Sequence, residues 1–472
     1  MKHLWVDPVK GSDSRSGGSR SQALRTLAAA WLRIPASRAL TAGYHIHILR
    51  GTLPPSAIYH YWESRWGSRE APIIIEAVEG RGSVVLQAPV NVFDVRHLHL
   101  IGLIIRAPGD PFHCERCTNL LLRNGVCASG SWLDCGVQEA IKINQCRGVW
   151  IEGVVAGWAN DNAFDCVSCQ YGHILNSRFH HSEWGVYLKG GSAYFIVASN
   201  EIHTHGSSGF AAGQGTGFEF MDAPWLQYEA YDIKLYNNLI RNIEGAGFGV
   251  WGCYNCMYAY NTLVGVGNRS HLIDIKFGER TCDGNPRVCS ANKALGGWGP
   301  RTVGPVTSIP NRNVFIINNV IYNPPGTQSQ WQHLQVDDPR GSLTSDKNLV
   351  IRGNVVWNGG ADKPLGVGEA CTAANPTCNP TQLVAQNAFN TVRPDLSRTT
   401  FRPASATGKL ATYTGLWRPI AAFPAWAAAV VLGPAVPTGR LANAVAADRA
   451  GEARTAQRDA PGAYVPPNSI VG

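Results

Sequence analysis

Residues 141–146, IKINQC, and 164–169, FDCVSC, share an apolar first and third position and a cysteine at the sixth, and residues 112–117, FHCERC, carry the same frame one step earlier. Apolar residues at every second place describe a strand with one buried face. Working outward, VYLKGG from Val186, FEFMDA from Phe218 and FGVWGC from Phe248 fit the same frame, and LIDIKF from Leu272 is aligned with them, with Asp274 at its third place. Such self-similarity is the signature of stacked repeats, each coil burying its apolar edge on the next. The expected fold is all-β, a right-handed parallel β-helix.

A second run in each coil ends on asparagine: Asn124, Asn176, Asn200, Asn238, Asn261, Asn319 and Asn354, with shortest spacings of 23 or 24 residues. Asparagine tolerates a left-handed turn and bonds to neighbouring backbone, so these residues predict an internal ladder. The frame also places Cys114 and Cys166 at the inward third position and Cys117, Cys146, Cys169 and Cys253 at the sixth. The CxxC pairs 114/117, 166/169 and 253/256 are therefore expected as small buried residues at coil corners, not as zinc ligands. Disulfides are expected at Cys127–Cys135, Cys282–Cys289 and Cys371–Cys378, each flanking a short loop. They imply an oxidising compartment, hence a secreted or periplasmic protein, although the opening MKHLWVDP carries no apolar signal segment.

Across 472 residues, 41 Lys and Arg against 33 Asp and Glu leave a net charge of +8, which suits an acidic partner such as a uronate polysaccharide. No Lys/Arg block or base-stacking motif points to nucleic acid. The apolar stretch FPAWAAAVVLGPAVP is too short and too interrupted by proline to span a bilayer. A monomer without membrane or nucleic-acid partners is expected. GQGTGF, with no following Lys-Ser/Thr, is not a phosphate loop.

The opening WVDPVKGSD...LRTLAAAW and the closing DRAGEARTAQRDAPGAY resemble the two ends of bacterial right-handed β-helix proteins of the pectate-lyase-like superfamily. That resemblance covers nearly the whole chain and implies fold more than substrate, since the superfamily holds lyases, hydrolases, epimerases and non-catalytic members. Residues 1–43 are expected to form an opening strand and capping helix, the helix near 22–34. Residues 44–390 should form the coils, with insertions near 125–139, 205–229 and 279–311 walling a groove. Residues 391–472 are expected as an irregular tail packed on the coils.

On each framed strand the second and fourth residues point outward. The second positions are His113, Lys142, Asp165, Tyr187 and Glu219; the fourth are Glu115, Asn144, Val167, Lys189, Met221 and Trp251. Cleaving a uronate by β-elimination needs neutralisation of the carboxylate, a base for the proton α to it, and a donor to the leaving oxygen. Lys189 is the candidate base, and Tyr187 or a nearby histidine the donor. Asp161, Asp165 and Glu115 are the candidate ligands for a Ca²⁺ that grips the carboxylate. Lys142, Asn144, Trp251 and His113 are substrate-binding candidates, joined by His203 and His205 in EIHTHG and by Arg269 and His271.

EWGVYLKGGSAYFIVASNEI also resembles the lysine-bearing strand of the chondroitinase B and alginate lyase family, in which Lys189 would stand as the base. WANDNAFD is similar to the Asp cluster of lysine-base pectate lyases. That first family's arginine on the following coil has no counterpart in GFAAGQGTGFEF. The second class weighed is a glycoside hydrolase with Asp165 and Glu219 as paired carboxylates, roughly 9 to 10 Å apart across two coil spacings. The third is a non-catalytic glycan-binding solenoid.

Overall fold

A computed structural model describes residues 1–128, 138–295, 307–336, 347–359, 379–403, 445–455 and 460–465. Two compact units divide the chain, Met1–Glu183 and Trp184–Gly472. In the first, Lys2–Val6, Tyr44–Ile48, Ile73–Ala77, Arg96–Ile101, Thr118–Arg123, Arg147–Glu152 and Gln170–Leu175 stack in chain order, each parallel to the next. Shorter strands such as Leu103–Arg106 and Val126–Ala128 build a second face, and Phe112–Glu115, Ile141–Asn144 and Asn162–Val167 a third. Inward residues such as Ile143, Phe164 and Ile174 are fully buried, so each coil's alternation becomes one continuous core. The second unit repeats the arrangement, with Ser192–Ala198, Ala230–Tyr236, Cys253–Ala259, Arg312–Ile317 and Lys347–Arg352 as one parallel face. The fold is a right-handed parallel β-helix.

Near the start, Leu27–Trp31 forms a short helix whose Thr26 side chain accepts from the Ala29 amide at 3.0 Å. Its Trp31 stacks on Trp62 at 4.8 Å, covering the apolar end of the first coils. At the other end, Asp448 accepts from the amides of Ala450, Glu452 and Val465 at 2.8, 2.9 and 2.8 Å, shaping the DRAGEAR turn. Arg454 lies over the Tyr260 ring at 3.9 Å and bonds the Asn237 side chain at 3.0 Å. The apolar stretch at 423–437 lies outside the described residues, among which no helix is long and apolar enough to cross a membrane.

The register corrects two of the expected coils. Phe248 pairs with Phe210, and Trp251 with Gly213, so the coil strand is the second half of Glu201–Gly213 and not FEFMDA. Phe218–Phe220 is a 3₁₀ turn, whose buried Phe218 imitated the strand frame. The insertion expected from residue 205 therefore leaves the coil only after Gly213. Phe248 also pairs with Ile273, so the next coil runs IDIK, one residue later than the frame from Leu272.

The asparagine ladder exists in the second unit with a shift in its reason. Asn200, Asn238, Asn261, Asn319 and Asn354 each donate backbone and side-chain N–H to the Oδ1 of the next asparagine, at 2.9–3.0 Å, ending on Asn387. The left-handed residue is the one before, such as Asn237 (φ 57°) or Tyr260 (φ 54°). Asn124 and Asn176 are themselves left-handed, at φ 53° and 51°, so they sit one place before the inward position.

The CxxC pairs are buried as expected but are disulfides: Cys114–Cys117, Cys166–Cys169 and Cys253–Cys256, with Cα separations of 6.6, 6.1 and 6.2 Å. Two cysteines three apart across a coil corner reach each other because the chain turns sharply there. Cys282–Cys289 pairs as anticipated. Cys135, the expected partner of buried Cys127, and both Cys371 and Cys378 lie outside the described residues.

Candidate functional site

In the first unit, pairing sets His113 beside Lys142 and Lys142 beside Asp165 on the outward face. Lys142 bonds Asp165 and lies 3.1 Å from Glu139, both carboxylates being buried. Burial disfavours its charge, but Asp165 and then Glu139 more than offset that and hold the ammonium above the ordinary lysine range. Burial in turn pushes Glu139 up. Lys142 is thus a clamped cation. Asn144 reaches His113 at 3.2 Å, and Glu115 faces Arg116 at 3.5 Å.

This geometry speaks against the calcium set of Asp161, Asp165 and Glu115. Calcium takes six to eight oxygen ligands, as a rule. Here Asp165 already faces an ammonium, and the three acids do not gather as a ligand group among the described residues. The residues do not fit the ion.

In the second unit, Tyr187 and Lys189 close the Arg178–Lys189 strand. The Trp184 and Tyr187 rings stack at 5.1 Å, and Trp251 meets Trp184 edge-on at 5.5 Å. Small neighbours make this possible: Ala211 joins the cluster, and a Cβ on Gly249 would lie 2.9 Å from the Trp251 indole. Lys189 Nζ lies 4.2 Å from the centre of the Tyr187 ring, and Lys276 Nζ 5.8 Å from that of Trp251. Lys276 also pairs with Asp274 at 3.2 Å. The Trp251 indole N–H has no hydrogen-bond partner among the described residues.

Glu219 does not belong to this face. Its carboxylate accepts from the Asp283 and Asn285 amides at 2.9 and 3.3 Å, beside the Cys282–Cys289 disulfide. The strand frame that was to align it with Asp165 does not extend to FEFMDA.

His203 and His205 stand on the first half of Glu201–Gly213, paired with Arg241 and Ile243. His203 bonds Thr204 at 3.0 Å, and His205 is buried. Arg269 holds Glu244 at 3.2 Å and the Gly206 carbonyl at 2.9 Å, and His271 bonds Gln332 at 3.2 Å at the preceding corner. Sequence reasoning missed Lys276 and Asp274 through the one-residue shift at Leu272. It missed Trp184 and Glu139 because both fall outside the framed positions.

Residues 128–278 match the family model described as right handed beta helix region. Among solved structures, the chain is similar to the Azotobacter vinelandii mannuronan C-5 epimerase AlgE6 A-module, at 12% identity and a TM-score of 0.41, over 75% of this chain and 83% of that one. It is similar to a rhamnogalacturonan lyase at 14% identity and a TM-score of 0.37, over 75% and 87%. XylC, solved in complex with xylose, is 9% identical with a TM-score of 0.42, over 84% and 87%. No curated protein matches the chain.

Proposed function

We propose that the chain is a carbohydrate-active β-helix protein that holds an acidic, uronate-containing polysaccharide on the outward face of its second unit and cleaves it by β-elimination. The observation that carries the reading is the proximity of two lysine amino groups to aromatic rings, Lys189 Nζ to Tyr187 and Lys276 Nζ to Trp251. Aromatic faces pack against the C–H faces of sugars, a role open to half-buried Trp184, which Tyr187 and Trp251 support from beneath, while ammoniums neutralise carboxylates. A face bearing both fits a uronate better than a neutral sugar.

In the proposed reaction the Lys276 ammonium holds the uronate carboxylate, and Lys189 Nζ takes the proton α to it. The electron pair left behind forms the carbon–carbon double bond, the bond to the glycosidic oxygen breaks, and that oxygen takes a proton from water. Tyr187, buried in the stack, acts as a positioning residue for Lys189 rather than as the donor expected from its outward place. Glu219, held by the Asp283 and Asn285 amides, has no part in this reading.

Incubation with pectate, alginate, chondroitin and hyaluronan should produce rising ultraviolet absorbance from an unsaturated uronate on one of them. A calcium-selective chelator should leave the rate unchanged. Lys189→Arg keeps the charge and the ring contact but is not a base. It should retain polymer binding while losing turnover by a factor of 10² or more, on the order of general-base catalysis. Lys189→Ala should lose both. Reducing ends without absorbance would reassign the protein to hydrolysis, and binding without turnover in the unaltered chain would reassign it to a glycan-binding role.

A further inference from the structure

Away from that face, the first strands of the first unit carry an imidazole cluster that the proposed function does not use. Parallel pairing sets His3 opposite His45 and Trp5 opposite His47, while Leu4, Ile46 and Ile48 point into the core. The H-x-H spacing of His45 and His47 puts both rings on the outward face of one strand. His3 and His47 approach to 2.9 Å between Nδ1 and Nε2. The His45 and His47 rings lie 3.8 Å apart. One nitrogen from each of the three residues falls within 4.8 Å of the others. From the third strand Glu76, paired with His47, reaches Nε2 of His45 at 2.8 Å. Trp5 stacks on His47 at 4.5 Å and covers one side of the group.

We infer that His3, His45 and His47 form a binding site for one divalent transition-metal ion of the Zn²⁺ class, with Glu76 orienting His45 or closing the shell. Three converging imidazoles and a nearby carboxylate are a nitrogen-rich donor set, which suits Zn²⁺, Ni²⁺ or Cu²⁺ and not the oxygen-seeking Ca²⁺ or Mg²⁺. A carboxylate on the second nitrogen of a ligating histidine fixes its ring, the outer-shell arrangement of many zinc sites. The consequence is structural. Lys2–Val6 is the first strand of its sheet; it pairs with Tyr44–Ile48 along its length, and its other edge meets only a bridge from Leu24 and a bond to Gly17. A metal bridging His3 to His45 and His47 would staple that end strand to its neighbour, across the 38 positions that separate Val6 from Tyr44 in the chain.

Zn²⁺ itself, titrated into the full chain and followed by calorimetry and by competition with a chromophoric chelator, should bind at one ion per chain with micromolar or tighter affinity. His45→Ala and His47→Ala should each weaken it by about tenfold or more, and Glu76→Gln by about tenfold. His99→Ala, on a later strand, should leave it unchanged. Zn²⁺ should raise the melting temperature of the unaltered chain and not of the His45/His47 double variant. His3→Ala, at an exposed position, gives the same reading should a variant at His47 lose its circular-dichroism signature. Absence of saturable Zn²⁺ binding, or binding that survives replacement of all three histidines, would overturn the inference.

Discussion

At the scale of single residues, the asparagines show how one residue type serves two roles a position apart. Asn261 donates its side chain to Leu235 O and Asn319 Oδ1 at 3.0 Å and accepts from Asn238, all within the buried core. Replacing it by alanine orphans several buried groups at once, each costing about 1–3 kcal/mol. Asn261→Ala should therefore lower stability by at least about 3 kcal/mol, read as a shift of the urea midpoint. Asn124 instead satisfies a left-handed backbone at φ 53°, which glycine adopts more easily, so Asn124→Gly should be close to neutral. The sequence announced a column of asparagines. It did not distinguish turn from ladder, because both environments select the same side chain.

At the scale of elements, alternation located the strands and failed where another structure buried the same spacing. FEFMDA satisfies the frame because Phe218 is buried beneath the insertion, while the coil strand beside it, FAAG, has glycine and alanine at its outward places. Ala211 packs with Trp251, and a Cβ on Gly213 would run into the Trp251 backbone, a reason visible only once the partner strand is known. The insertion has its own anchor, a fully buried ion pair between Glu229 and Arg280, with Thr216 donating to Glu229 at 2.7 Å. Removing one partner of such a pair leaves an uncompensated charge, at a cost of about 3–5 kcal/mol. Glu229→Gln should loosen residues 214–229 and 278–295 locally. Amide exchange there should quicken by two orders of magnitude or more while the coil strand Ala230–Tyr236 holds its protection; uniform exchange across the unit would contradict this placement of the pair.

At the scale of the whole molecule, solvent-side histidines on strands of the first unit tie its stability to pH. Burial is the leading cause that lowers His97, His99, His113 and His173 below the ordinary value of 6.5. A group whose folded pKa lies below its unfolded one binds more protons when unfolded, so the native state is favoured less as pH falls through 6.5 towards the folded values. The chain already carries +8 with its 14 histidines neutral, and every imidazole charged on acidification adds to that repulsion. The melting temperature should therefore be level above pH 7 and fall from about pH 6.5 downward, before carboxylates begin to titrate. Added salt should recover the part that is net repulsion and leave the part that is burial. His99→Gln, which keeps a polar ring-sized group but cannot charge, should flatten the slope measurably by scanning calorimetry across pH 5 to 7.5. A profile without slope over that interval, in the unaltered chain, would mean that these imidazoles are charged or solvated in the fold and that burial does not govern its acid limit.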